Sequence, residues 1–315
     1  MLRIRFFNVG DGDAIRVEEF TGVQVFRMLI DTGRTEVVEG APAATCAAHL
    51  QRAGVQRLDK VLISHLHIDH SGGLAALSDA GIEIGELISG YIPAQPGAMM
   101  RCPANAEKTI RNMVNHLNRW SQDIDRLLAL NVSLIELPVS QFNVALTEKL
   151  SADIIVPDPA SSRLQKEVWD RLFQGGKAPL QRQILAAKLR NPNSLRVRLH
   201  FAGREVELSA DCYGMVWDRG AVQPCDIFKL PHHGDAKSVT PRLVRKLSPQ
   251  YAVICCGRGY NPDKDRPSAR AAKLLRNAGA QLWYTDAFND HVQPVMRWPS
   301  VDFVIRESGE ILPPA

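Results

Sequence analysis

The chain has 315 residues, 45% of them hydrophobic and 23% charged, so it can bury a large core as one α/β domain or as two smaller ones and should fold unaided. No apolar run approaches the roughly 20 residues of a membrane span, and the opening "MLRIRFFNVGDGD" lacks the apolar stretch and small-residue cleavage site of a secretory signal, so a cytoplasmic location away from the membrane is expected. The formal charge of +4 is local, because residues 91–190 hold 13 Lys/Arg against 9 Asp/Glu while the remainder is balanced at 25 of each.

In chain order, "LRIRFFNVG", "DAIRVEEF" and "VQVFRMLIDTG" are β-rich runs closed by Gly-containing turns, which predicts an antiparallel sheet. "APAATCAAHLQRAG" then reads as a helix, "RLDKVLIS" as a buried strand, and "SGGLAALSDAG" as a helix ending at Gly81. Apolar residues at Ile110, Met113, Val114, Leu117, Trp120, Ile124, Leu127 and Leu128 have the spacing of one buried helical face within 104–130. "VSLIEL" and "ADIIVP" are strand-like, two short helices are expected around Leu164 to Phe173 and Leu180 to Leu189, and strands resume at "SLRVRLHF", "REVELSAD" and "DIFKLP". A helix near 241–247, the strand "YAVICC", a helix at 268–278 and the terminal strand "AQLWYTD" complete the series. Two β-rich halves with helices suggest two sheets packed face to face, helices outside. No Pro/Ser-rich linker divides them, so one domain over 1–315 is expected.

The six cysteines, at 46, 102, 212, 225, 255 and 256, show no C-x-x-C spacing. They read as buried free thiols.

The stretch "VLISHLHIDHSGGL" concentrates His65, His67, Asp69 and His70 where a buried strand ends and Gly72-Gly73 opens a helix, the position at which α/β folds place their chemistry. In an extended segment His65 and His67 can point the same way, and Asp69 and His70 can face a second point beside the first as the chain turns. The spacing suits two metal ions. Capping by Asp69 of a helix beginning near Ser71 is the bland alternative, but it leaves the clustered histidines unexplained.

"HLHIDH" fits H-x-H-x-D-H, and the chain resembles the metallo-β-lactamase superfamily on that signature. Further stretches, "NVGDGDA", "LIDTG", "NPNSLRVRL", "LSAD", "FKLPHHGD" and "CCGRGYNPDKDRPS", are similar to the C-terminal domain of ComEC-type competence (DNA-uptake) proteins. The resemblance implies an α/β fold, the four-layer αββα sandwich, with helical insertions near 100–130 and 160–190. It also implies two divalent cations, held by His65, His67, Asp69, His70, Asp211 and His233, with Asp211 bridging. Asp31, and similarly Asp13, would support the ligands, Asp31 by orienting a ligand histidine. Asp69 and His232 are the candidate catalytic residues, His232 facing the substrate as proton donor or phosphate contact. The separate histidine that many relatives place before the bridging aspartate is not found; Asn193 or Ser194 of "NPNS" stands nearest that position, as a candidate substrate contact. The chain has "DRP" where a histidine often precedes proline, Asp235 where serine commonly follows "HHG", and none of the family's membrane channel. His49, His116, His200 and His291 have no motif around them and are expected to be satisfied surface or strand histidines.

Two adjacent cations activate a shared water at neutral pH and polarise the electrophile, so hydrolysis is the expected reaction. Imidazole and carboxylate ligands without thiolate suit zinc, and manganese is compatible. A phosphodiester in nucleic acid or a nucleotide is the leading substrate. Residues 161–200 carry Arg163, Lys166, Arg171, Lys177, Arg182, Lys188, Arg190, Arg196 and Arg198 against Glu167 and Asp170, and Arg171, Lys177 and Arg182 are the candidate phosphate contacts. A solvated helix face reads equally well. A small-molecule hydrolase acting on a phosphorylated headgroup, lactone or thioester would need an enclosed pocket instead. A binding module that keeps the metal for stability is the remaining alternative.

Overall fold

Apolar residues at Leu2, Ile4 and Phe6 give the first strand one core face, and β1 (Leu2–Phe7), β2 (Ile15–Thr21) and β3 (Gln24–Ile30) follow as an antiparallel meander. After β3 the connections become helical crossovers. Helix α1 (Cys46–Arg52) leads to β4 (Arg57–Ile63), α2 (Ile68–Ser71) and α3 (Leu74–Asp79) to β5 (Glu83–Ser89), and α4 (Lys108–Ala129) to β6 (Ser133–Glu136), each strand pairing parallel with the one before. This computed structural model describes residues 1–37, 43–102, 104–217, 222–257, 266–286 and 300–314. His291 and residues 258–265 of "CCGRGYNPDKDRPS" lie outside the described residues.

The second sheet begins with β7 (Gln141–Ala145) and β8 (Leu150–Ile155) and, after helices α5 (Pro159–Phe173) and α6 (Leu180–Lys188), continues antiparallel through β9 (Arg196–Phe201) and β10 (Arg204–Leu208). Then come α7 (Gly214–Trp217), β11 (Ile227–Lys229), the tight turn Pro231–Gly234, α8 (Pro241–Leu247), β12 (Tyr251–Ile254), α9 (Ala269–Asn277) and β13 (Gln281–Tyr284), with β10 to β13 parallel. Finally β14 (Ser300–Ile305) and β15 (Ile311–Leu312) return to the first sheet, β14 running antiparallel beside β1. The sheet orders are β15-β14-β1-β2-β3-β4-β5-β6 and β13-β12-β11-β10-β9-β8-β7.

Buried side chains form three slabs, as four layers require. Leu50, Leu74, Leu117 and Trp120 cover the outside of the first sheet against Val61 and Ile63. Ile4, Phe6, Leu62, Leu199, Val206 and Phe303 fill the space between the sheets. Leu243, Leu247 and Leu275 cover the second sheet against Phe228, Ala252 and Ile254. The architecture is the expected αββα sandwich, and "VLI" in β4 is buried on both faces because Val61 and Ile63 point one way and Leu62 the other. Among the described residues no helix is long and apolar enough to cross a membrane.

Three local expectations need correction, and one strand was not anticipated. Leu128 is exposed, not buried, because it lies about 100° around α4 from Leu127 and off the apolar face. "AQLWYTD" is not the terminal strand, since β14 and β15 follow it. Strand β7 is an edge strand whose residues are nearly all exposed, so it carries no burial pattern. The six cysteines are free, and all are buried except the half-buried Cys102.

Candidate metal centre

Every donor residue named above leaves the carboxyl end of a strand: Asp13 after β1, Asp31 after β3, His65 to His70 after β4, Asp211 after β10, and His232 and His233 after β11. These loops are stitched together. Asp13 N–H donates to Asp69 O (3.1 Å) and Thr32 N–H to His70 O (2.7 Å). The approach is so close that a Cβ on Gly12 would lie 2.5 Å from Asp69 O, and one on Gly73 2.3 Å from Thr32 O. Asp31, Ala210, His232 and His233 all adopt positive φ, between 46° and 58°, a region that costs non-glycine residues about 1 kcal/mol or more and is concentrated at functional sites. Helix α2 starts at Ile68, so Asp69 lies inside its first turn and does not cap a helix at Ser71.

The structure brings the predicted donors together in two neighbouring groups, His65 with His67 and Asp211, and Asp69 with His70 and His233, and places Asp13 and Asp31 in a third group that shares His70 with the second. His65 Nε2 and His67 Nδ1 are 2.9 Å apart, and His65 Nε2 is 3.7 Å from Asp211 Oδ2. On the other side Asp211 Oδ1 lies 3.2 Å from His70 Nε2 and 3.7 Å from His233 Nε2, and Asp69 Oδ2 lies 3.5 Å from His233 Nε2. His70 Nε2, Asp211 Oδ1 and His233 Nε2 are buried and lack a hydrogen-bond partner. Buried polar atoms left this way are costly unless something binds them. Their convergence, with a donor set of imidazoles and carboxylates, fits a divalent cation.

The electrostatics agree. Burial pushes the His65 imidazole well below its ordinary range, helped by the charge of His70, and burial together with Arg190 does the same to His67; both present neutral lone pairs. Burial opposes charge on His70 and His233 too, but Asp211, Asp31 and Asp13 hold His70 well above its ordinary range, and Asp11, Asp211 and Asp69 raise His233. Asp211 and Asp69 are held well below the carboxylate range, against burial, by these histidines. Cations bound here would take over the favourable interactions with these carboxylates that now raise His70 and His233.

The supporting residues are placed as follows. Asp31 Oδ2 accepts from His70 Nδ1 (2.7 Å) and from Ser64 Oγ (2.7 Å), and Asp31 Oδ1 from Ser64 N–H (2.7 Å). Asp13 pairs with the fully buried Lys229 and lies 3.7 Å from both His70 Nδ1 and His233 Nδ1. His233 donates through Nδ1 to Cys255 O (3.1 Å). His232 turns away: its Nδ1 meets Asp235 Oδ2 at 2.6 Å, Arg266 Nη2 lies 2.5 Å from its Nε2, and Tyr213 packs edge-on against it. The Nε2 atom stays within 3.9 Å of Asp211 Oδ2.

Asn193 and Ser194 have their side chains engaged. Asn193 accepts from Ser161 Oγ (2.5 Å) and donates to Gln165 (3.1 Å), while the fully buried Ser194 donates to Asn191 O (2.8 Å). Arg171, Lys177 and Arg182 are exposed. Arg196 and Arg198 leave the basic segment, being buried in ion pairs with Glu207 (2.8 Å) and Glu205 (2.7 Å). His49 is stacked on Phe7 and bonded to Asn8 O, and His200 lies between Asp153 and Glu205, so both are satisfied as expected. His116 differs from expectation: it is on α4, with its ring edge-on to His67 at 5.9 Å and its Nδ1 2.9 Å from Arg190 Nη1. Lys229, Arg190, His116, Tyr213 and Arg266 thus join the site; for Lys229 and Tyr213 the signal available was adjacency to "PHHG" and "SAD", for Arg190 its place in the basic segment next to "NPNS", for Arg266 the "DRP" stretch, and for His116 there was none.

Beside His65 a small cavity, of about 40 Å³, opens between β4, β5 and α5. Tyr91, Trp169, Gln165 and Arg190 line it with His65.

The profile of the Metallo-beta-lactamase superfamily matches residues 26–258. Among solved structures, a metallo hydrolase (Igni18) from the hyperthermophilic archaeon Ignicoccus hospitalis is similar at 12% identity over 96% of this chain and 100% of that one, with a TM-score of 0.46. The metallo-beta-lactamase fold protein YhfI from Bacillus subtilis is similar at 10% identity over 90% and 96%, TM-score 0.47, and a diphosphatase from the PhnP family at 12% over 81% and 87%, TM-score 0.39. No curated protein matches the chain. The matched span runs through both donor groups from Asp31 to His233, and the chain belongs to the metallo-β-lactamase superfamily of metal-dependent hydrolases.

Proposed function

We propose that the chain is a dinuclear metal-dependent phosphodiesterase acting on nucleic acid or a nucleotide. The observation that carries the metal part is the convergence of His70 Nε2, Asp211 Oδ1 and His233 Nε2, all buried and without partners. His65, His67 and Asp211 would hold the first divalent cation and Asp69, His70 and His233 the second, with the two oxygens of Asp211 facing the two groups. Zinc suits this donor set best, and manganese is compatible. When bound, such cations activate water and draw charge from the electrophile. The chain's own residues do the rest. Asp31 fixes the His70 ring from behind, Lys229 pairs with Asp13 beneath the histidines, and His232, oriented by Asp235, gives a proton to the leaving group. The likeness to ComEC-type C-terminal domains and the exposed Arg171, Lys177 and Arg182 support a phosphodiester.

A small-molecule hydrolase is the second reading, supported by the cavity beside His65. One experiment addresses both. Protein reconstituted with zinc or manganese is analysed for metal and assayed on phosphodiesters, single-stranded DNA, lactones and thioesters. The expected result is close to two cations per chain, turnover of a phosphodiester, and loss of both from Asp211→Ala. Less than one cation per reconstituted chain overturns the dinuclear reading, and turnover confined to lactones or thioesters overturns the phosphodiester.

A further inference from the structure

A buried guanidinium without a carboxylate partner is expensive. Arg196 and Arg198 obey the rule through Glu207 and Glu205. Arg190 does not. It is 6% exposed, its Nε donates to Ala187 O (3.1 Å) at the end of α6, and its Nη1 meets His116 Nδ1 (2.9 Å). No described carboxylate is paired with it. The acid whose charge reaches it is Asp69, which already faces His233. A guanidinium can only donate, so His116 Nδ1 is the acceptor of this bond and does not balance the charge of Arg190. Arg190 is therefore held in place by neutral acceptors, with its positive charge unspent.

Its location gives that charge a use. Arg190 and His65 line the same cavity, and His116 bridges Arg190 to the edge of His67. A ligand at the metal centre that extends into the cavity meets this guanidinium. We propose that Arg190 is the anion-recognition residue of the site, holding a phosphate or carboxylate oxygen that the substrate carries apart from its scissile bond, while the cavity beside His65 takes the linking group. The substrate class that follows, resting on the hydrolase reading, is a compact ester with a second anion.

Metal-loaded Arg190→Met and Arg190→Lys are compared with wild type in metal content, melting temperature, and affinity for inorganic phosphate and for succinate. Turnover is measured on bis(nitrophenyl) phosphate, whose anion is the reacting group, and on a nitrophenyl phosphodiester bearing a second phosphate. Arg190→Met should keep its metal and its melting temperature, since a buried unpaired charge has been removed. It should bind the anion about tenfold to a hundredfold more weakly and lose more kcat/KM, by a similar factor, on the doubly anionic ester than on bis(nitrophenyl) phosphate. Arg190→Lys should recover part of both. Which of phosphate and succinate responds identifies the oxyanion. Unchanged affinity for both anions, or a lower melting temperature with equal loss on the two esters, makes Arg190 a strut between α6 and α4 and overturns the proposal. If wild type cleaves neither ester, the phosphodiesterase reading fails while the anion titrations still decide the role of Arg190.

Discussion

At the scale of single residues, His232 and His233 show how neighbours in sequence come to do different things. Both have positive φ, near 50° and 56°, and the turn sends their rings 6.0 Å apart. His233 is fully buried, ties Nδ1 to Cys255 O and aims Nε2 at Asp211 and Asp69. His232 is partly exposed and bonded to Asp235. His233→Ala should therefore lose metal and turnover together, whereas His232→Ala should keep its metal and lose about a hundredfold or more in kcat. Metal analysis beside steady-state kinetics separates them, and the reverse pattern would exchange the two roles. His65, His67, Asp69 and His70 were legible in the sequence because their spacing on a strand end is itself the chemistry, whereas Asp211 and His233 were reached through the family resemblance. The residues around them were not legible. Lys229 reads as one more polar position in "FKLP", and nothing local reveals that it is fully buried against Asp13 from the other end of the chain. Arg190 and His116 meet only because α6 packs on α4.

At the scale of elements, α4 was legible because a 3.6-residue apolar period persists over the whole helix, and β4 because its apolar run is buried on both sides. Strand β14 has a clear alternation at Val301, Phe303 and Ile305, but its partner β1 is at the opposite end of the sequence, a long-range choice that no local pattern announces. Helix α4 also carries a charge its pattern does not explain. Asp123 is buried, and burial pushes its carboxyl up to about 6 although Arg119 Nε stands 3.8 Å away. Between about pH 4 and pH 6 the folded chain keeps a proton that the unfolded chain has released, so stability falls as pH rises through that window and stays lower above it. Asp123→Asn removes the penalty. It should stabilise the protein by about 2–3 kcal/mol above pH 7 and be nearly neutral below pH 4, seen as a denaturation midpoint that differs from wild type only at the higher pH. A variant equally or less stable at both pH values would show that the ion pair with Arg119 outweighs burial.

At the scale of the whole molecule, folding redistributes the charge that composition places in the middle of the chain. Of the cations in 161–200, Arg196 and Arg198 are neutralised between β9 and β10, Arg190 is buried at the metal centre, and Lys166 pairs with Glu136 at 3.0 Å. What remains exposed on and between α5 and α6 includes Arg171, Lys177 and Arg182. A polyanion lying on that face displaces condensed counterions, with a log–log salt slope of roughly −0.7 for each phosphate engaged on a single strand. Replacing these three residues together with Ala should flatten the slope for a single-stranded oligonucleotide by about 2 and weaken binding most at low salt. Hydrolysis of bis(nitrophenyl) phosphate should stay nearly unchanged, because Asp211 and the histidines are untouched. Oligonucleotide titrations at several salt concentrations read the slope directly. An unchanged slope would make α5 and α6 an ordinary solvated face, and the substrate would then be sought among compact esters that fill the cavity beside His65 rather than among chains that cross the surface.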